Sequence, residues 1–367
     1  MSFTRPDQLS HTRTRTLEGV IVTPVALAAE SVPERHYTHH EGRGATVHRS
    51  NPKVIHRELT TLDVAAGMRV IEIGTGSGYS GALLADIVGT SGAVTSVDID
   101  PYLTRWANLI HHERGLANVD CFTGDGTAGH PERAPYHRLV AWCTPELLPA
   151  AWVDQLCDTD DGFEGGVIVT PLPIADVPNL TVVAKIRVSG GKPRVEALFH
   201  GGYIEATTSV RTDFTVPGRW VDWEYRVPAP SWISIAWRAA DDWRGTGART
   251  ALDRLRSAVY AVPYGGQDLD WPSWRTFAAA TEDRHLTMAG LCPDLVAIGH
   301  STESSAAVIQ QDGMILADSP QSPSLTVLRG WLADWEAAAR PAPATYRPSL
   351  VSSYEPDAEG WHLRLSR

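Results

Sequence analysis

The chain has 367 residues, 43% of them hydrophobic and 20% charged, with a formal net charge of −11. That is ample apolar mass for a core and more length than one nucleotide-binding domain needs, so a core plus an extension is expected. No stretch is strongly basic, which argues against a nucleic-acid partner, and no run approaches the ~20 apolar residues of a membrane-spanning helix. Residues 1–16 are polar and lack the apolar run of a secretory signal. Cys121, Cys143, Cys157 and Cys292 form no Cys-x-x-Cys pair. A cytoplasmic protein with reduced thiols and no zinc site is the expectation.

In chain order, the polar start leads into a mixed region with one helix-like stretch and a loop over 42–52. Strands are then predicted at 69–73, 93–99, 139–142 and 166–170, with an antiparallel pair at 180–186 and 194–199. Helices are predicted over 79–88 and 102–114; in the second, Leu103, Trp106, Ala107 and Ile110 recur at core-facing spacing. Such strand–helix repetition argues for a doubly wound sheet. Beyond about residue 208 the texture changes: ten of the thirteen tryptophans lie from Trp220 to Trp361, which places a boundary there. The expected organisation is an N-terminal cap and acceptor loop (1–66), a Rossmann-like α/β core (67–210) and a Trp-rich α+β accessory domain for substrate recognition (211–367).

The strongest local signal is Glu72-Ile73-Gly74-Thr75-Gly76-Ser77-Gly78-Tyr79, a strand running into a glycine-rich turn and then a helix. Glycines there permit positive φ and let a cofactor approach the backbone. Asp98 stands at the end of the next strand, about 20 residues on, placed to accept hydrogen bonds from ribose hydroxyls. Gly124-Asp125-Gly126 follows the third strand, where Asp125 would accept from an adenine amino group. A glycine loop alone also suits a dinucleotide. The later Gly-Asp-Gly and the aromatic after the loop favour S-adenosylmethionine over NAD. The cofactor-binding set is thus Glu72, Gly74, Thr75, Gly76, Ser77, Gly78, Asp98, Ile99, Asp125 and Gly126. His36, His39, His40 and the run His111-His112-Glu113 lack metal-ligand spacing, and no metal is expected. No Gly-x-Ser-x-Gly elbow occurs outside the cofactor loop.

With those residues the chain resembles the protein-L-isoaspartate O-methyltransferase family. The matching segments are Val32-Pro33-Glu34-Arg35-His36-Tyr37, Ser50-Asn51-Pro52, Val70 through Tyr79, Gly124-Asp125-Gly126, Ala134-Pro135-Tyr136, Leu148-Pro149 with Trp152 and Gln155-Leu156, and Gly165-Gly166. They come in the family's order over about the first 200 residues. The resemblance implies methyl transfer from S-adenosylmethionine to a side-chain or isoaspartyl carboxylate of a peptide, whose ester then cyclises to an aspartimide. It also implies that Ser50, two before Pro52, is the active-site serine. This sequence departs from the family in two places. Thr46-Val47-His48-Arg49-Ser50-Asn51-Pro52 replaces a shorter, less basic run, and His137 stands where an aspartate is usual. Thr46, His48 and Arg49 become candidate acceptor-positioning residues.

Longer actinobacterial relatives, as the resemblance implies, tailor ribosomally made peptides such as lanthipeptides, lasso peptides and graspetides. The leading expectation is therefore esterification of an Asp or isoAsp in a modified, macrocyclic precursor peptide, with the tryptophans as recognition surface. The alternative is general isoaspartyl repair by an enzyme with an appended domain. A methyltransferase for another acceptor and a non-catalytic binding module complete the set.

Overall fold

The structure is a computed structural model, and it describes residues 15–17, 20–40, 44–45, 50–158, 164–238, 246–266, 268–292, 295–355 and 358–367. Strands β1 (Arg69–Ile73), β2 (Ala93–Asp98), β3 (Val119–Thr123), β4 (Arg138–Ala141), β5 (Gly166–Pro173), β6 (Thr181–Ser189) and β7 (Lys192–His200) form one sheet, in the order β7-β6-β5-β4-β1-β2-β3. Strands β1 to β5 are parallel, and β5, β6 and β7 pair antiparallel. This is the expected Rossmann-like α/β core. The helices are α1 (Pro24–Ser31), α2 (Glu34–Thr38), α3 (Pro52–Leu62), α4 (Tyr79–Val88), α5 (Pro101–Glu113), α6 (Ala150–Asp154), α7 (Thr246–Arg256), α8 (Trp271–Ala279) and α9 (Pro323–Ala337).

Local chemistry fixes the helix starts. Asn51 Oδ1 accepts from Lys53 N at 2.9 Å ahead of Pro52, and Asp100 Oδ1 accepts from Tyr102 N at 2.8 Å ahead of Pro101. Each cap satisfies an otherwise unpaired N–H, while proline sits where its missing N–H costs nothing. Alternation along β1 then splits the core. Val70 packs with Leu59 of α3 and Leu83 of α4 on one face, whereas Ile71 and Ile73 join the cluster on the other.

That second cluster does not end with the core. It runs from Ile168, Leu172 and Ile186 into Trp274 and Phe277 of α8, Leu328 and Trp335 of α9, and the inner face of another seven-stranded sheet. The strands of that sheet are β8 (Trp223–Tyr225), β9 (Ser231–Ile235), β10 (Tyr260–Pro263), β11 (Leu286–Cys292), β12 (Leu295–Ser301), β13 (Ala306–Gln310) and β14 (Met314–Ala317). They lie in the order β8-β9-β11-β12-β13-β14-β10, antiparallel throughout, which makes the extension α+β. Helix α7 packs on its other face through Ala248, Ala251, Leu252 and Leu255. A final hairpin, β15 (Arg347–Glu355) and β16 (Ala358–Ser366), returns to the first domain, pairing Trp361 with Leu148 and Gly360 with Pro149.

Most described tryptophans of the extension lie in the core or pack against it. Of the nine described, Trp232, Trp274, Trp331 and Trp335 are buried and the other five are partly buried. Among the described residues no helix is long and apolar enough to cross a membrane.

Candidate active site

The order of the first sheet reverses between β1 and β4, and a crevice opens there beyond the strand ends. After β1 the chain turns through Gly74, Gly76 and Gly78 with φ of 92°, 51° and 83°. Side chains rarely adopt such values. At Gly78 a second constraint applies, since an added Cβ would stand 2.9 Å from Ala107 Cβ of α5. Gly78→Ala is therefore expected to cost roughly 2–4 kcal/mol, from left-handed backbone plus overpacking, read as a lowered urea midpoint at unchanged slope.

Asp98, at the end of β2, clasps this turn. Its Oδ2 accepts from Gly76 N at 3.1 Å and its Oδ1 from Asp100 N at 2.9 Å. Burial raises its pKa. Asp125 caps a short 3-10 turn, its Oδ1 accepting from Thr127 N at 2.9 Å and Thr127 Oγ1 at 2.7 Å. The adenine-acceptor role expected from sequence thus shares a carboxylate that also organises the turn.

Ser50, Gly74, Thr75, Gly76, Ser77, Asp98, Ile99, Asp125 and Gly126 line one cavity of about 760 Å³. Two residues of the expected cofactor set do not. Gly78 is the N-cap of α4, packed against α5. Glu72 is fully buried beneath the turn, accepting from Ser96 Oγ at 2.6 Å, Trp142 Nε1 at 2.9 Å and Ser80 Oγ. Ser96 Oγ also lies 2.7 Å from Thr75 Oγ1, so the network props up the loop from below. Burial pushes the Glu72 carboxyl up to about 7, against three hydrogen bonds that favour its charge. Its part is to fix the loop, because its hydrogen bonds tie Ser80, Ser96 and Trp142 together beneath the turn. Thr46, His48 and Arg49 lie outside the described residues. His137, the departure expected to bear on the acceptor, is at the opposite end of the strands: its Nδ1 accepts from Arg69 N at 3.0 Å and it does not line the cavity.

The rest of the wall carries no local signal in the sequence. Tyr203 and Glu205 follow β7, and the extension contributes Trp271, Arg275, Met288, Val296 and Gln311. The tryptophan count pointed to a recognition surface, yet Trp271 is the one extension tryptophan among the described residues lining this cavity. Cys143 also lines it, with burial pushing its thiol up to about 12, so it stays protonated and is no nucleophile. Among the described residues, Asp283, His285 and His300 place potential ligand atoms within 4.8 Å of one another, and none of them lines the cavity.

The cradle suits an adenosyl cofactor. An added Cβ on Gly126 would stand 2.4 Å from Ile73 Cγ2, and one on Gly74 would stand 3.3 Å from Trp142 Cβ. The two glycines let the chain pack directly on Ile73 and Trp142, and the carboxylates of Asp98 and Asp125 on the same cavity supply acceptors and no cation. A family model for protein-L-isoaspartate(D-aspartate) O-methyltransferase matches residues 26–209. The chain belongs to that family.

Relatives carrying the name protein-L-isoaspartate O-methyltransferase agree. One from Methanococcus maripaludis is 40% identical over 111 residues, 30% of this chain and 50% of the relative. One from Aeropyrum pernix is 36% identical over 145 residues, 39% of this chain and 53% of the relative. One from Thermosipho melanesiensis is 31% identical over 163 residues, 44% of this chain and 77% of the relative. The chain thus spans about half the length of the first two. A solved protein-L-isoaspartate O-methyltransferase structure aligns over 93% of this chain and 94% of its own, at 17% identity and a TM-score of 0.43, too slight a likeness to argue from.

Proposed function

We propose that this chain uses S-adenosylmethionine to esterify a carboxylate of an aspartyl or isoaspartyl residue in a peptide or protein. The observation that carries the reading is the single cavity joining the glycine turn, Asp98 and Asp125 to Ser50. The isoaspartyl acceptor is favoured by the names of the relatives. The division into cap (1–66), core (67–210) and recognition domain (211–367) is part of the same proposal.

Asp98 would accept from the ribose hydroxyls, Asp125 from the adenine amino group, and the backbone of Gly74 to Ser77 would hold the amino-acid end. When bound, the cofactor supplies a methyl group whose bond to the sulfonium sulfur breaks, the electron pair staying on sulfur, as a carboxylate oxygen bonds to the carbon. The protein has no proton to remove, because a carboxylate with pKa about 4 is already ionised at neutral pH. Its work is alignment and exclusion of water. Ser50 donates a hydrogen bond to the acceptor and orients it, while Val54, Ile55, Trp142, Tyr203 and Met288 wall off solvent. Cyclisation of the ester, by attack of the next backbone amide nitrogen with loss of methanol, needs no enzymic group.

Ser50→Ala is expected to raise KM for the peptide about 10-fold, the worth of one hydrogen bond to a charged group. Affinity for S-adenosylhomocysteine stays as it was. Calorimetry beside steady-state kinetics reads both, and loss of cofactor affinity instead would remove Ser50 from the acceptor side.

A second reading is favoured by one observation, that α8, β11 and β12 supply part of the cavity wall. In it the acceptor is an Asp of a ribosomally made, macrocyclic precursor peptide, and the extension reads that peptide. Mass spectrometry with a linear isoaspartyl peptide and a cyclised Asp peptide decides. Methylation of the linear peptide supports repair-type activity; methylation of the cyclised peptide alone supports tailoring.

A further inference from the structure

The charges of the cavity are unevenly placed. Asp98, Asp125 and Glu205 are its carboxylates, and Arg275 is the one cationic side chain among the described residues lining it. Glu205 is tied through one oxygen, its Oε2 accepting from Gly218 N at 2.6 Å and Arg211 Nη1 at 3.3 Å, while its Oε1 is buried with no hydrogen-bond partner. Arg275 is not matched in this way. Its Nη2 donates to Gly201 O at 2.9 Å and its Nη1 to Asn179 O at 3.3 Å, both backbone carbonyls. Its Nε is buried with no hydrogen-bond partner, and no carboxylate among the described residues pairs with it. Burial alone lowers its pKa.

Arg275 is half-buried and held by two backbone carbonyls, so no carboxylate offsets its charge, and unlike lysine it cannot shed its proton. The fold nevertheless places it deliberately. Asp270 caps α8 through Ser273 N at 3.1 Å, which sets Trp271 and Arg275 four residues apart on one face, towards the cavity. Trp274 and Phe277 turn into the core. Opposite the guanidinium stands Gly202, where an added Cβ would crowd Thr181 Oγ1 at 2.2 Å and come within 3.9 Å of Arg275 Nη2. Gly202 thus lets the backbone pass close beside Thr181 and the guanidinium.

We propose that Arg275 binds the carboxylate of the acceptor peptide, so that the extension supplies the anion-recognising part of the same site. This rests on the proposed function. A guanidinium N–H holds one carboxylate oxygen by a charge-assisted bond, and the other oxygen keeps its lone pairs for the methyl group. An amide in the same position offers no charge and is refused. The carboxylate of the cofactor offers the same chemistry as that of the peptide, and the two arms of the test separate these sources.

The full-length chain and its Arg275→Gln and Arg275→Lys variants are assayed for peptide KM and kcat, and for S-adenosylhomocysteine affinity by calorimetry. Arg275→Gln is expected to raise peptide KM about 10- to 100-fold, the worth of a charge-assisted bond, with S-adenosylhomocysteine affinity held within about 2-fold. Arg275→Lys restores part of the loss, which a purely structural role for the two carbonyl contacts would not predict. Unchanged KM in Arg275→Gln overturns the proposal, as does an equal loss of S-adenosylhomocysteine affinity, which assigns the cation to the cofactor. If Arg275→Gln does not fold, the wild-type enzyme decides through competition by the same peptide carrying an amide in place of the carboxylate. Competition at least about 10-fold weaker supports the proposal, and equal competition overturns it. Absence of methylation on any carboxyl peptide by the wild type overturns the proposed function itself, a different result from active enzyme indifferent to Arg275.

Discussion

Asp98→Ala is expected to weaken S-adenosylmethionine binding about 30- to 150-fold, some 2–3 kcal/mol, while leaving the protein folded. Two losses add up. The carboxylate no longer accepts from the ribose, and the turn loses the bond from Gly76 N that holds it beneath the cofactor. Asp98→Asn keeps one acceptor oxygen and falls between the two. Titration calorimetry of the three proteins reads the series directly. Affinity of Asp98→Ala within about 3-fold of the parent would remove the ribose contact from the account, because a bond to a charged acceptor is worth more than that.

Glu72→Gln is expected to change how stability depends on pH. The Glu72 carboxyl titrates from 4.5 when free to about 7 when folded, because it is desolvated. The folded state therefore keeps a proton that the unfolded state releases. This contribution to stability is fully present below about pH 4.5 and is lost as pH rises to about 7. Between those limits the parent should lose on the order of 2–3 kcal/mol more than Glu72→Gln. The glutamine can accept from Trp142 Nε1 and donate to Ser96 Oγ, so the network survives without the titrating group. Urea unfolding at several pH values compares the two proteins, and parallel profiles would mean that Glu72 is charged and solvated, contrary to its burial.

The core was legible because its signals are local. Glycines that must take positive φ, the apolar run of β1, and Asp100-Pro101 ahead of an amphipathic stretch each fix one element without reference to the rest. The predicted helix 102–114 and the observed α5 differ by a single residue at each end. At Glu72 the sequence shows an acidic residue next to the glycine turn, and the structure buries it beneath that turn and not in the cavity wall. The extension was less legible for a physical reason. Trp271, Trp274 and Arg275 lie within five residues of sequence, and only tertiary packing decides that Trp274 goes into the core while its neighbours meet the cavity. The spacing Trp271-x-x-x-Arg275 after a capping Asp270 was available in the sequence, but nothing there says what the shared face looks upon. His137 illustrates the converse, a departure from family pattern whose place at the far end of the strands keeps it from the site.

Methylation of a carboxylate leaves a base-labile ester, which a labelled methyl group reveals. The enzyme is incubated with an isoaspartyl peptide and S-adenosylmethionine carrying tritium in its methyl group, and the peptide is then exposed to mild base. Peptide-bound label that base releases as volatile methanol, the signature of a methyl ester, is the expected result. Label that stays on the peptide through base treatment would mean transfer to nitrogen, sulfur or carbon, and would contradict carboxyl methylation.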